Sequence, residues 1–392
     1  MENQFNNYHV VYILTKLELG GAQKVCLALM EGMANHNVPA TLISGHEGEL
    51  VEEAKKLDSV NLITCLRREI VFTSFITEVC AFITITRLLR NLKKQHGNII
   101  VHTHSTKAGI IGRWAAFFAG ISTRVHTIHG YGFHEHQNRV IWFLVYLCEL
   151  LTSFITTHFV CVSEHDQKIG IRSFPFFARK SSIIRAAIEQ SKFLPSIKSA
   201  QPISVQAQKF IIGTISCFKP QKNIFDLLKA FEKTYHTSAG PSQRLLELHL
   251  IGDGILRPEI ESWITAHNLT QAVLLLGWQQ NVVPYLQSWD VFALSSFWEG
   301  LPCAVIEARL CKLPVIAYNV GGISEIITHG NNGFLIQPGN WQELAHHFDL
   351  VMKNQTLYEQ LKHHHEKLDD FNVPSMVKHH LNLYARLLPE LY

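Results

Sequence analysis

The chain has 392 residues, more than one compact hydrophobic core usually organises, so two domains are expected. Hydrophobic residues make up 47% and charged residues 17%, which excludes a disordered chain. A formal net charge of +3 is too small to imply nucleic acid as a partner, and the 23 histidines will raise it below pH 7.

The charge is uneven: +6 over residues 1–200 and −3 over residues 201–392. A basic first half suits an anionic lipid surface or an anionic acceptor. None of the eight cysteines forms a C-x-x-C pair and most lie in apolar runs. That pattern reads as reduced thiols in a cytoplasmic protein, not as a disulfide framework or a zinc site. Residues 1–8 are polar and do not read as a signal peptide.

Strands and helices alternate, which predicts parallel sheets with crossover helices. A strand over 10–14 leads through Gly20 and Gly21 into a helix over 22–34. A strand over 41–44 follows, then a long helix over 75–94 whose basic end suits the helix dipole. A strand over 99–102, a helix over 107–119 closed by Gly120, and a strand over 124–128 come next. The run 140–162 is almost continuously apolar and long enough to span a bilayer, but it contains Glu149 and His158. Its texture changes midway, so a helix over 139–151 and a buried strand over 154–162 are expected instead.

Residues 189–209 are rich in Ser, Gln, Lys, Ala and Pro and break the rhythm, which marks an interdomain linker. Alternation resumes with strands over 210–216, 246–251, 273–276, 291–294 and 314–317 and helices over 224–235, 257–267 and 302–311. Residues 343–392 read as helices. The expected organisation is a first domain over 1–188, the linker, a second domain over 210–374, and a C-terminal helix over 375–392 that crosses back to the first domain. Two doubly wound α/β domains of this kind would face a cleft formed at their strand C-terminal ends.

The most informative run is 295–308, SSFWEGLPCAVIEA. An apolar strand ends at Ser295, Gly300 permits a tight turn, and Pro302 suits a first helical turn. A helix N-terminus offers backbone N–H groups to an anion. Glu299 stands just before it, and Glu307 lies about 7–8 Å further along the axis than Pro302. One acid on either side of an anion-binding helix start suits a sugar nucleotide. The N–H groups would take the pyrophosphate, and the carboxylates would take sugar and ribose hydroxyls.

Glu299 and Glu307 resemble the E-x7-E signature of family 4 retaining glycosyltransferases, in the GT-B class. The likeness continues through Pro314-Val315-Ile316-Ala317, Gly321-Gly322, Glu325 and Asn332-Gly333-Phe334-Leu335. Gly20-Gly21-Ala22-Gln23 is similar to the family's first glycine-rich loop. His102 to Gly109 and His126 to Gly130 resemble stretches of bacterial capsule and lipopolysaccharide transferases. The resemblance covers nearly the whole chain. It implies a GT-B fold, with a nucleotide-sugar donor in the C-terminal domain and a saccharide or lipid-linked acceptor mainly on the N-terminal one.

Carried over by position, the resemblance implies Glu299 on the donor sugar, Glu307 on the ribose and Lys222 on the pyrophosphate. Leu301, Cys303 and Ala304 become the backbone phosphate donors, since Pro302 has no N–H. Gly20 and Gly21 let backbone approach the distal phosphate or the acceptor, and His129 stands beside the donor sugar. No metal and no cofactor is implied. Where many relatives carry an arginine five residues before the lysine, this chain has Cys217; either Lys219 supplies the missing charge or the phosphate grip is weaker. Arg185-Ala186-Ala187-Ile188 replaces an Asn-Gly-like turn at the domain junction.

The expected activity is transfer of a hexosyl group, with retention, from a UDP-sugar in surface polysaccharide synthesis. Peripheral contact with the inner face of an anionic plasma membrane is expected through 72–94 or 133–143. A nucleotide-sugar epimerase and a non-catalytic binding subunit on the same scaffold are the alternatives.

Overall fold

The computed structural model describes residues 8–57, 59–67, 75–193, 209–237, 245–364 and 368–388. The chain divides into two compact units, residues 1–187 with 369–392, and residues 188–368.

The first unit holds a seven-stranded parallel sheet. In chain order its strands are β1 (His9–Ile13), β2 (Ala40–Gly45), β3 (Val60–Ile63), β4 (Ile99–His104), β5 (Thr123–Ile128), β6 (His158–Cys161) and β7 (Ser181–Ile183). They lie in the order β3-β2-β1-β4-β5-β6-β7. Every residue of β1 and β4 is buried, as central strands covered on both faces require. Helices Phe75–His96 and Thr106–Phe118 pack on one side through Ala81, Ile85, Leu89, Ala115 and Ala116. An aromatic cluster around Phe133, Phe159, Phe174 and Phe177 fills the region under β5 and β6.

The second unit holds a six-stranded parallel sheet in the order β10-β9-β8-β11-β12-β13. Its strands are β8 (Phe210–Ile215), β9 (Leu246–Ile251), β10 (Val273–Gly277), β11 (Val291–Leu294), β12 (Val315–Tyr318) and β13 (Gly333–Ile336). Helices Ile224–Thr237 and Trp341–Lys353 close its core with Leu227, Phe231, Leu344 and Phe348.

The strand order reverses once in each sheet, between β1 and β4 and between β8 and β11. In open parallel sheets ligands bind outside the strand ends at such a switch point. Both switch points are tied across. In the first unit the hydroxyls of Thr15 and Ser105, just after β1 and β4, lie 2.7 Å apart. In the second, Phe297 N–H donates to the Gln221 carbonyl (2.9 Å) and the Gln221 amide donates to the Trp298 carbonyl (2.7 Å).

Several expectations shift. The apolar run 140–162 forms helix Arg139–Ile155 followed by β6, so the helix runs four residues past its expected end. Among the described residues no helix is long and apolar enough to cross a membrane. The second unit ends at 368, not 374. Helix Val373–Leu387 belongs to the first unit, where Tyr384 OH meets Tyr12 OH at 3.0 Å. Of the expected linker, 194–208 lie outside the described residues, and Gln190–Lys192 form a 3-10 turn of the second unit.

Candidate functional site

In the second unit the segment after β11 leads to helix Cys303–Leu310, which begins one residue later than expected. Pro302 has ψ 108°, extended rather than helical, and caps the helix from outside it. No side chain caps this N-terminus and no acid lies in its first turn. An α-helix has no carbonyl behind its first N–H groups, so this end carries a partial positive charge. Val305 N–H donates to the Pro302 carbonyl (3.0 Å), which takes it out of an anion site. Cys303 and Ala304 head the helix and are half-buried; Leu301, just before it, is buried.

Lys222 Nζ and Glu299 Oε1 are 2.5 Å apart, the lysine on the turn after β8 and the glutamate on the loop after β11. The side chains are 20% and 8% exposed, so this pair is partly desolvated rather than on open surface. The turn that carries Lys222 is pinned by Ser295, whose hydroxyl donates to the carbonyls of Lys222 (3.2 Å) and Asn223 (2.9 Å). Lys219 opens that turn. Glu307 is buried on helix Cys303–Leu310.

Two glycines permit close backbone approaches here. Gly321 has φ +56°, and a Cβ there would stand 2.1 Å from the Glu299 carbonyl. The next residue's N–H donates to the Gly300 carbonyl at 2.6 Å, which fixes the Glu299 backbone. Gly252 has φ +132° and a Cβ would meet the Ser216 carbonyl at 1.9 Å, so only glycine lets β9's exit lie against the segment leading to Lys222. The sequence reading passed over Gly252 and Gln221. The Gly-Asp-Gly after a strand, 252–254, was the available signal.

In the first unit Gly20 precedes helix Gly21–Asn35 with ordinary extended angles, so positive φ is not what selects glycine there. A Cβ at Gly20 would press on the Gln23 side-chain amide at 2.5 Å. His129 follows β5 directly and precedes Gly130, which has φ +99°. Its Nε2 lies 2.9 Å from His104 Nδ1. Burial and the neighbouring His380 push the His129 imidazole down to about 3, so it is neutral at physiological pH. His102 is committed elsewhere, to Tyr384 OH (2.6 Å) and Thr127 Oγ1 (2.7 Å).

Two family models match this chain: "Glycosyltransferase Family 4" over residues 19–191 and "Glycosyl transferases group 1" over residues 197–368. Between them the two models cover both halves of the chain, and both describe glycosyl transferases. Over 394 residues the glycosyltransferase is 27% identical to the UDP-Gal:alpha-D-GlcNAc-diphosphoundecaprenol alpha-1,3-galactosyltransferase of Escherichia coli, with 99% of each chain covered. It is 24% identical to the capsular polysaccharide biosynthesis glycosyltransferase CapM of Staphylococcus aureus, over 74% of this chain and 77% of CapM. The structure of Anabaena HepE in complex with UDP and glucose superposes with a TM-score of 0.77 at 19% identity, over 96% of this chain and 99% of HepE. The two doubly wound units of this glycosyltransferase are those of the GT-B fold.

Proposed function

We propose that this glycosyltransferase moves a hexosyl group from a UDP-sugar, with retention of anomeric configuration, to a saccharide or lipid-linked saccharide acceptor of a cell-surface polysaccharide. The observation that carries the reading is the Lys222–Glu299 pair set beside an uncapped helix start, with Glu307 buried further along the same helix. In this reading Leu301, Cys303 and Ala304 offer backbone N–H groups to the diphosphate. Lys222 and Lys219 neutralise it, Glu307 holds the ribose hydroxyls and Glu299 the sugar hydroxyls. Gly20 and Gly21 admit the distal phosphate or the acceptor, and His129 orients the sugar. The acceptor oxygen bonds to C1 on the face the diphosphate leaves. The C1–O bond to the β-phosphate breaks, and the acceptor proton passes to an oxygen of the departing UDP. Negative charge grows on that diphosphate, which is where fixed positive charge lowers the barrier most.

The E. coli relative's name supplies the first pair to try, UDP-Gal with GlcNAc-diphosphoundecaprenol. The expected product keeps the α configuration of the donor, read from the anomeric proton coupling. A β-linked product would remove retention. A donor sugar altered without acceptor would mean an epimerase, and no thermal stabilisation by any nucleotide sugar would mean a non-catalytic chain.

Peripheral contact with an anionic membrane, at its cytoplasmic face, completes the proposal. Helix Arg139–Ile155 supports it: Val140, Ile141, Phe143, Leu144, Leu151 and Phe154 are all more than half exposed. Its one acid, Glu149, is turned inward onto Arg113, so the outer face carries apolar side chains. Exposed Arg139, Arg172 and Arg179 supply positive charge on this and the following elements. An apolar face with a basic surround lies in the interface instead of spanning it. The surface runs further along this helix than residue 143, and Phe133 is buried. Of the other expected stretch, Ile76, Val79 and Ile83 are exposed, while 72–74 lie outside the described residues. Flotation with phosphatidylglycerol vesicles at low salt should carry the protein upward, and Phe143→Ser with Leu144→Ser should abolish this. A protein that stays at the bottom of the gradient would refute the contact.

A further inference from the structure

β4 and β5 run parallel with His104 opposite Thr127, and His129 lies just beyond the end of β5. This register brings His104 Nδ1 to 2.9 Å from His129 Nε2. A hydrogen bond between two neutral imidazoles needs one donor and one acceptor, so the two rings share a single proton. Which ring gives it is decided at the far side of His104. There Nε2 is buried and, among the described residues, has no hydrogen-bond partner.

If His129 donated, His104 would carry its own hydrogen on Nε2, a buried N–H with no acceptor. If His104 donates from Nδ1, Nε2 is left as a bare lone pair, and buried orphan N–H groups are the rarer and more penalised of the two. The surroundings offer no escape. The His102 ring stacks on His104 at 4.6 Å and 26°, and Tyr12 lies 6.0 Å away. Both His102 nitrogens already have partners in Tyr384 and Thr127. A charged ring is also disfavoured, because burial and the neighbouring His129 and His380 hold His104 well below the usual histidine range.

We propose that His104 is a positioning residue: its Nδ1–H fixes His129 in the Nδ1–H tautomer, so that His129 serves as a neutral hydrogen-bond donor and not as a proton-accepting base. The proposal rests on the reading of His129 as the histidine that orients the donor sugar. With Nε2 occupied by His104, His129 has an N–H and no in-plane lone pair to offer a sugar hydroxyl or an anionic oxygen. That suits a reaction in which the acceptor proton goes to the leaving diphosphate.

The test is the tautomer itself, read by long-range proton–nitrogen correlation on the full chain labelled with 15N-histidine. His129→Gln identifies the His129 signals by their loss. In the wild type His129 should show a protonated Nδ1 and a bare Nε2. His104→Leu removes the donor that orients the His129 ring, and kcat/KM for sugar transfer should fall about tenfold, the loss of one hydrogen bond in the transition state. His104→Asn, whose amide N–H sits near the former Nδ1, should keep the Nδ1–H pattern and stay within about threefold of wild type. A wild-type His129 protonated on Nε2 overturns the proposal, as does a His104→Leu enzyme within about threefold of wild type in kcat/KM. Should His104→Leu not fold, the wild-type and Asn spectra decide. If no UDP-sugar supports transfer, the functional reading falls, while the spectra still decide what His104 does.

Discussion

Lys222 and Glu299 meet at 2.5 Å, yet the two elements that carry them are 77 residues apart in sequence. Each is held by backbone contacts that do not involve the pair, so removing one charge leaves the other in place. Lys222→Ala should therefore lower kcat at saturating donor by about 10²–10³-fold, the usual loss for one preorganised group facing developing charge. Lys222→Arg should recover much of that, since charge and not hydrogen-bond count is the requirement. Steady-state kinetics with a UDP-sugar makes the measurement, and an alanine variant within threefold of wild type would take the lysine out of this role. Glu299 and Glu307 were legible as a pair because their spacing is local. Gln221, which ties the two loops together through the Trp298 carbonyl, was not, because nothing near it in sequence announces a partner so far along the chain.

At the scale of elements, helix Arg139–Ile155 shows both what patterning reveals and what it hides. Its apolar run is plain, but the β-branched and aromatic texture of 154–162 reads as a strand, which sets the expected end at 151, before Thr152 and Ser153. In the structure both hydroxyls bond back to their own helix, to the Cys148 carbonyl (2.6 Å) and the Leu150 carbonyl (2.7 Å), so the helix continues. Short edge strands were missed as well. β3 and β7 have only four and three residues and are largely half-buried, so neither has the continuous apolar run of β1. Glu149 was read only as an argument against a membrane span. Its partner is Arg113, fully buried on helix Thr106–Phe118, at 2.8 Å. The guanidinium is otherwise satisfied by the Gly109 carbonyl (2.8 Å) and Thr156 Oγ1 (2.9 Å). Glu149→Ala strands a buried cation and should cost about 3–5 kcal/mol of stability. Urea unfolding followed by circular dichroism checks this; a loss below 1 kcal/mol would mean that water reaches the arginine.

The whole molecule distributes its histidines unequally between its two units, and this sets how it meets acid. In the first unit burial pushes His9, His158 and His380 down to about 4 and His129 to about 3. His102, His104 and His126 are held well below their ordinary value for the same reason. In the second unit burial lowers His347, which is the one buried histidine among the described residues there. An unfolded histidine titrates near 6.5, so between that pH and about 4 the unfolded chain binds protons that the folded unit refuses. Stability is then present above pH 6.5 and lost as pH falls through it. Each such histidine changes it by about 1.4 kcal/mol per pH unit. One group opposes them: burial raises the Asp166 carboxyl to about 7, which favours the folded state as pH falls from there towards 4. Three histidines' worth remains even from the four with stated values, about 4 kcal/mol per pH unit, against a typical total of 5–15 kcal/mol. The first unit should therefore open on a shift from pH 7.5 to pH 5 while the second stays folded. Hydrogen exchange, corrected for the intrinsic pH dependence, should show β1, β4 and β5 losing protection before β8, β9 and β11. Helix Val373–Leu387 should go with the first group despite following the second unit in sequence, because His380 and Tyr384 are buried among the first unit's residues. Simultaneous loss in both units, or protection intact at pH 5, would show that water or local opening lets these histidines take their protons without unfolding.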